Sequence, residues 1–155
     1  MSTEDLHFKL GMYGSSPLKS PEFQIKINDN IIYHGHISKP ANEVEYFEFD
    51  ASISEGDNVF TIEFLNKLPT DTIKDESGNI IGDMLLSIKS LEIDDINMDH
   101  LLWSNSLYYP VYPENYVDEQ QKSVKEVRNC VDLGWNGTWK FPFKSPFYIW
   151  LLEII

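Results

Sequence analysis

Apolar and polar residues alternate one by one through most of the first hundred positions, and a period of two belongs to a strand with one face buried and one face wet. Leu6, Phe8 and Leu10 form one such set, and Phe23, Ile25 and Ile27 form another. Asn28-Asp29-Asn30 follows the second set. Asn and Asp tolerate the left-handed backbone region, so this stretch predicts a turn, with residues 31–37 as the returning strand of a hairpin. Residues 44–50 and 59–65 read as two further strands separated by a turn at Gly56-Asp57. In the later one Phe60, Ile62 and Phe64 face one way, and Val59, Thr61 and Glu63 the other. Over 84–98 the parity changes, because Leu86 and Ile88 are followed by Leu91 and Ile93. That change calls for a bulge between Ile88 and Leu91, or for a strand buried on both faces. A short irregular strand is expected over 103–111.

Between positions 110 and 133 the alternation is lost. Val117, Gln121, Val124 and Val127 stand near helical spacing within 116–128, so the region 113–131 reads as a helical or irregular excursion. From Leu133 the apolar character returns with Trp135, Trp139, Phe141, Phe143, Phe147, Tyr148 and Trp150. Aromatic side chains carry the largest apolar areas, so this tail either completes a sheet or docks into a neighbouring subunit. Pro142 and Pro146 interrupt it and predict separate strands over 141–143 and 147–152. About eight short strands with little helix predict an all-β fold, a jelly-roll type β-sandwich, and 155 residues match one domain, 1–155.

The formal charge of -13, from 25 acidic and 12 basic residues, repels phosphate backbones, so nucleic acid is not an expected partner. No apolar run approaches the ~20 residues of a membrane span. The first ten residues have neither the basic stretch nor the apolar core of a secretory signal. One cysteine, Cys130, excludes an intramolecular disulfide and an all-cysteine metal cage.

Motifs that carry chemistry are scarce. His34-Gly35-His36 places two imidazoles on one strand face, the spacing of a metal-binding cupin strand, but the acidic residue and second histidine motif of such a site are missing. No nucleophile elbow, phosphate loop, HExxH or EF-hand loop occurs, and no enzyme is expected. The loop 66–83 offers Asn66, Asp71, Asp75, Glu76, Asn79 and Asp83, oxygen ligands of the kind a hard cation prefers. A hairpin excursion with solvated acids and a β-turn over 75–79 accounts for the same residues. Asn136-Gly137-Thr138 fits the N-glycosylation pattern. Trp135 and Trp139 could stack on sugar rings as a ligand-binding pair, or anchor the tail in the core.

Two resemblances bear on function. The strand Val59-Phe-Thr-Ile-Glu-Phe-Leu-Asn66, the acid-rich loop ending at Gly82-Asp83 and the strand Leu85-Leu-Ser-Ile-Lys-Ser-Leu-Glu-Ile-Asp-Asp95 resemble the calcium-dependent xylan-binding carbohydrate modules. That likeness implies a jelly-roll sandwich that binds glycans, with Asp71, Asp75 and Asp83 as metal ligands and Ca2+ as the cofactor. The layout around Leu133-Gly-Trp-Asn-Gly-Thr-Trp and Ser145-Pro-Phe-Tyr-Ile-Trp-Leu-Leu-Glu153 is similar to small virion proteins of tailed, cyanophage-like bacteriophages. It implies a non-catalytic structural, decoration or attachment protein located in the virion. Such a protein would form homo- or hetero-oligomers with capsid, tail or fibre proteins. The virion role is the leading expectation; a calcium-dependent module for host-surface glycans is the alternative.

Overall fold

The alternation in the sequence becomes two antiparallel sheets stacked face to face. The computed structural model describes residues 2–15, 19–112 and 125–154. Its first strands are β1 (Thr3–Gly14), β2 (Glu22–Ile27), β3 (Asn30–His36), β4 (Glu45–Ser54) and β5 (Gly56–Phe64). A short ribbon, β6 (Ile73–Lys74) and β7 (Ile80–Gly82), precedes β8 (Leu86–Ile93) and β9 (Ile96–Asn97). Helix α1 (Asp99–Ser104), β10 (Leu107–Pro110), β11 (Val127–Arg128), β12 (Asp132–Leu133), β13 (Gly137–Ser145) and helix α2 (Phe147–Ile154) follow. One sheet has the order β12-β8-β1-β4, with β9 paired to β8; the other runs β11-β10-β13-β5-β2-β3. The result is the expected all-β, jelly-roll type sandwich. Among the described residues eight strands reach four residues or more.

Inward positions of both sheets meet in one contiguous apolar cluster. Leu6, Phe8, Leu10 and Met12 come from β1, Phe60, Ile62 and Phe64 from β5, and Trp139, Phe141 and Phe143 from β13. At its centre Phe8 lies parallel to Phe49 of β4 at 5.1 Å and to Phe60 of the opposite sheet at 5.8 Å, with Phe143 edge-on at 6.1 Å. The expected hairpin is present as β2–β3, with Asn28 at a positive φ of 54° in its turn. The parity change in β8 is a bulge: Gly11 pairs with Ser90 and Met12 with Ile88, leaving Lys89 as the extra residue.

Four expectations are corrected. The connection expected between the strands 44–50 and 59–65 is shorter, because β4 runs on to Ser54 and β5 begins at Gly56; β4 pairs with β1, and β5 with β2 and β13. Gly56, at φ 106°, carries the chain from one sheet to the other. Within 103–111 only Leu107–Pro110 is strand, and Trp103 lies on α1. Pro142 does not break its strand: β10 covers β13 only as far as Lys140, so among the described residues the proline sits where β13 has β5 as its one neighbour. Residues 147–152 are helix rather than strand. Phe147, Trp150 and Leu151 recur at helical spacing and are buried, while Tyr148, Ile149 and Leu152 face outward. Glu4 of β1 accepts the Phe147 N–H at 2.8 Å and the Ser145 hydroxyl, a carboxylate at the positive end of α2. Most of the expected helix over 116–128 lies outside the described residues; of its range, Val127 and Arg128 form β11.

If Phe8 joins the two sheets as this packing indicates, Phe8→Ala should cost about 3–5 kcal/mol, the usual toll of removing a buried phenylalanine. Urea denaturation would measure it, and a loss below ~1 kcal/mol would contradict the packing described.

Candidate functional site

The strand β5 ends at Phe64, and the next polar side chains turn back under the end of the sandwich. Lys67 is the central one. Its side chain is 1% exposed, and its ammonium donates to Asp83 Oδ1 at 2.6 Å and to the Gly134 carbonyl at 2.5 Å. The same ammonium stands 4.6 Å from the centre of the Trp135 ring, a cation–π distance. Asp83 Oδ1 also accepts the Thr72 hydroxyl at 2.8 Å and the Met84 N–H at 2.9 Å. Asn136 fixes the lysine's backbone from both sides, accepting from Lys67 N–H at 2.7 Å and donating to Lys67 O at 2.9 Å. Both ends of its amide are therefore engaged in the fold.

The three aspartates expected as metal ligands do separate things. Asp83 holds Lys67. Asp71 Oδ2 meets Lys19 Nζ at 2.8 Å and accepts the Leu68 N–H at 2.7 Å. Partial burial raises the Asp71 carboxyl, but the Lys19 hydrogen bond and the Leu68 N–H outweigh it and hold the pKa below the usual carboxylate value. Asp75 Oδ1 accepts the N–H groups of Ser77 and Asn79, both at 2.9 Å, and closes the exposed turn between β6 and β7. Among the described residues no three His, Cys, Asp or Glu side chains come together as a metal-holding group. A calcium ion on Asp83 would sit beside an ammonium already bound to the same carboxylate, a like-charge contact in a dry setting. Asp83, held by Lys67, does not fit calcium.

The tryptophans also diverge. Trp139 is fully buried, donates Nε1–H to the Cys130 carbonyl at 3.0 Å and stacks on Phe141. It has no face to offer a ligand. Trp135 is half-buried against Lys67. His34 bonds to Glu22 at 2.6 Å rather than pairing with His36. The Cys130 thiol is pushed up by burial.

A second feature lies where the outermost strands of the two sheets, β3 and β4, face each other. A slot of about 330 Å³ opens there, lined by Ile32, Tyr33, Tyr46, Phe47, Glu48 and Phe49. Tyr33 packs against Phe23 at 5.7 Å and Phe47 at 5.4 Å, yet remains 42% exposed; Tyr46 is 53% exposed. The Lys9 ammonium stands 4.9 Å from the Tyr46 ring centre. Next along the face, His7 contacts Asp50 at 2.8 Å and Glu48 at 3.1 Å, and these hydrogen bonds, Asp50 first, raise its pKa. Neither tyrosine is conspicuous in the sequence. The available signal is Tyr46, an aromatic on the polar parity of its strand beside Glu48 and Asp50.

No family model matches the sequence, and no curated protein matches it. Solved structures do share the fold. One is a selenomethionine form of vCBM60, from work describing circular permutation as an evolutionary link between two families of calcium-dependent carbohydrate binding modules. It aligns with a TM-score of 0.57 over 88% of this chain and 89% of its own, at 9% identity. Another is vCBM60 in complex with galactobiose, with a TM-score of 0.51 over 87% of this chain and 96% of its own, at 10% identity. The chain is thus an all-β sandwich with the fold of carbohydrate-binding modules.

Lys67→Met should lower stability by about 3 kcal/mol, because it strands the Asp83 carboxylate after removal of its partner. Adding Asp83→Asn to that variant should recover part of the loss. Chemical denaturation of the single and double variants checks this; a neutral Lys67→Met would refute the ammonium's role in holding the loop.

Proposed function

We propose that this protein is a non-catalytic glycan-binding module. The observation that carries the reading is the fold likeness to carbohydrate-binding modules over 88% of the chain, one neighbour being in complex with galactobiose. Supporting it, the histidines His7 and His34 are tied to carboxylates in surface hydrogen bonds rather than poised beside a nucleophile. The neighbours are described as calcium-dependent, whereas Asp83 and Asp71 of the loop 66–83 are already paired with Lys67 and Lys19. Glycan binding in this chain accordingly does not run through calcium at Asp83.

Affinity electrophoresis through gels containing soluble xylan or galactan tests the reading. Migration should be retarded in at least one glycan, equally with calcium and with a chelator, and no new reducing ends should appear. Unretarded migration in all gels would sink the module reading; retardation abolished by the chelator would sink its calcium independence.

A second reading, a structural or attachment protein of a bacteriophage particle, draws support from the outward face of α2, where Tyr148, Ile149 and Leu152 are exposed, Leu152 at 76%. Such a face suits contact with another protein. Leu152→Glu should then convert an assembling chain to a monomer in light scattering without lowering its melting temperature, and a wild-type monomer would count against it.

A further inference from the structure

Among the described residues one long strand edge is left open. β4 ends its sheet and pairs only with β1, over ten residues and without a register shift from Glu45 to Ser54. On its other side the N–H and C=O groups of alternate residues have no strand to bond to. Proteins blunt such edges with short strands, bulges, prolines or lysines. The strands at the other edges of the two sheets follow that rule: β9, β11 and β12 have two residues each. β3 is bulged at Ile32, because Ile25 pairs with Tyr33 and Lys26 with Ile31. β4, Glu45-Tyr-Phe-Glu-Phe-Asp-Ala-Ser-Ile-Ser54, has no bulge, no proline and no lysine. The slot runs along this edge, since four consecutive residues of β4, inward Phe47 and Phe49 and outward Tyr46 and Glu48, line it together. Phe47 and Phe49 are only half-buried, whereas the inward Phe60 and Phe64 of β5 are fully buried. Two glycines keep the edge clear. A Cβ on Gly11 of β1 would come within 3.0 Å of the Tyr46 ring, so that ring leans over β1, away from the open side. A Cβ on Gly35 would come within 2.6–2.9 Å of the Tyr33 ring and hydroxyl, so that ring lies along its own strand.

We propose that the open edge of β4 receives an extended segment of another protein in which basic and apolar residues alternate. The fold already contains a template for that segment. On its paired side β4 faces β1, where His7 stands opposite Asp50, Phe8 opposite Phe49, Lys9 opposite Glu48 and Leu10 opposite Phe47. A strand added on the open side meets the same two rows. Its apolar residues enter the slot of about 330 Å³ beside Tyr33, Phe47 and Phe49, and its basic residues stand next to Glu48 and Asp50 on the outer face. Those exposed carboxylates have capacity left. Each turns one oxygen to the single imidazole of His7, Asp50 at 2.8 Å and Glu48 at 3.1 Å, and the Lys9 ammonium lies over the Tyr46 ring instead. A chain charge of -13 favours a partner of the same basic sign.

The competing occupant is β4 of a second copy. The acids oppose it. An antiparallel two-fold pairing that keeps the inward rows together, centred on residue 48, 49 or 50, sets Glu48 against Glu48, Glu48 against Asp50, or Asp50 against Asp50. The charges that deter self-pairing are the ones that select a basic strand. Edge pairing involves no sugar, so its outcome is separate from that of the glycan-binding reading.

The experiment titrates a blocked, fluorescently labelled peptide, Thr-Lys-Val-Lys-Phe-Lys-Val-Thr, into the full chain, with two control peptides. One control carries glutamates in place of the lysines; the other carries N-methyl groups on alternate backbone nitrogens, which removes ladder donors and keeps every side chain. Anisotropy should show saturable binding of the lysine peptide alone, weakened by added salt. Amide shifts should concentrate in 45–54 and 31–36, and hydrogen exchange should slow at alternate amides along 45–54, those that face the open side. The double variant Glu48→Lys/Asp50→Lys should bind the lysine peptide about tenfold more weakly and the glutamate peptide in its place. Equal binding of the lysine and glutamate peptides overturns the charge selection, and equal binding of the N-methylated peptide overturns strand pairing. Shifts that fall outside both strands overturn the location. A chain that ignores every peptide but self-associates with protection along 45–54 overturns the proposal in favour of a second copy, and a chain that binds no peptide and stays monomeric overturns it outright.

Discussion

Contact between the two sheets is the constraint on which everything else depends, and it is concentrated in the aromatic stack of Phe49, Phe8 and Phe60. Three nearly parallel rings, with Phe143 against their edge, set how the sheets face each other. Sheets in such a sandwich pack about 10 Å apart, and only large side chains fill that distance without voids. The stack also governs the edge of the sandwich. Phe49 and Phe47 lie on the outermost strand β4, so the same row of rings that fills the centre runs out into the slot beside β3. Core and slot are one continuous aromatic layer.

The two ends of functional interest solve opposite electrostatic problems. At the loop 66–83 the chain takes a cation inside and saturates it: Asp83, the Gly134 carbonyl and the Trp135 ring surround Lys67, with Asn136 holding its backbone. On the outer face of β1 and β4 the charges of His7, Lys9, Glu48 and Asp50 stay in water beside Tyr46. A saturated polar cluster confers order. A half-solvated one remains available to a ligand. This difference, more than the residue types, separates the two clusters.

The period of two made the architecture legible. β1, β2, β3, β5 and β8 stand where alternation put them, and the parity change at 88–91, which left a bulge or a doubly buried strand open, is a bulge at Lys89. Helix α2 was hidden because its outward positions, Tyr148, Ile149 and Leu152, are apolar as well, which erased the stripe that marks a helix. The crossing at Gly56 was hidden because a turn residue does not say whether the next strand pairs back or changes sheet. The site was less legible than the fold. Acidic residues are so numerous in a chain of charge -13 that their clustering in 66–83 carried little weight, and the residue that organises them is the lysine among them. Tyr33 and Tyr46 acquire their meaning only from Gly35 and Gly11, contacts that no local pattern encodes.

A bound metal ion stabilises a protein by mass action, so the benefit rises with its concentration and vanishes when it is stripped away. Lys67 is exempt from that law. Its ammonium is tethered by its own backbone to the place it neutralises, and occupancy there involves no second molecule. The charge of Asp83 is therefore met at this end of the sandwich whatever the ion content of the surroundings. A charge supplied in this way is written into the sequence: altering it takes a substitution, not a change in the surrounding solution.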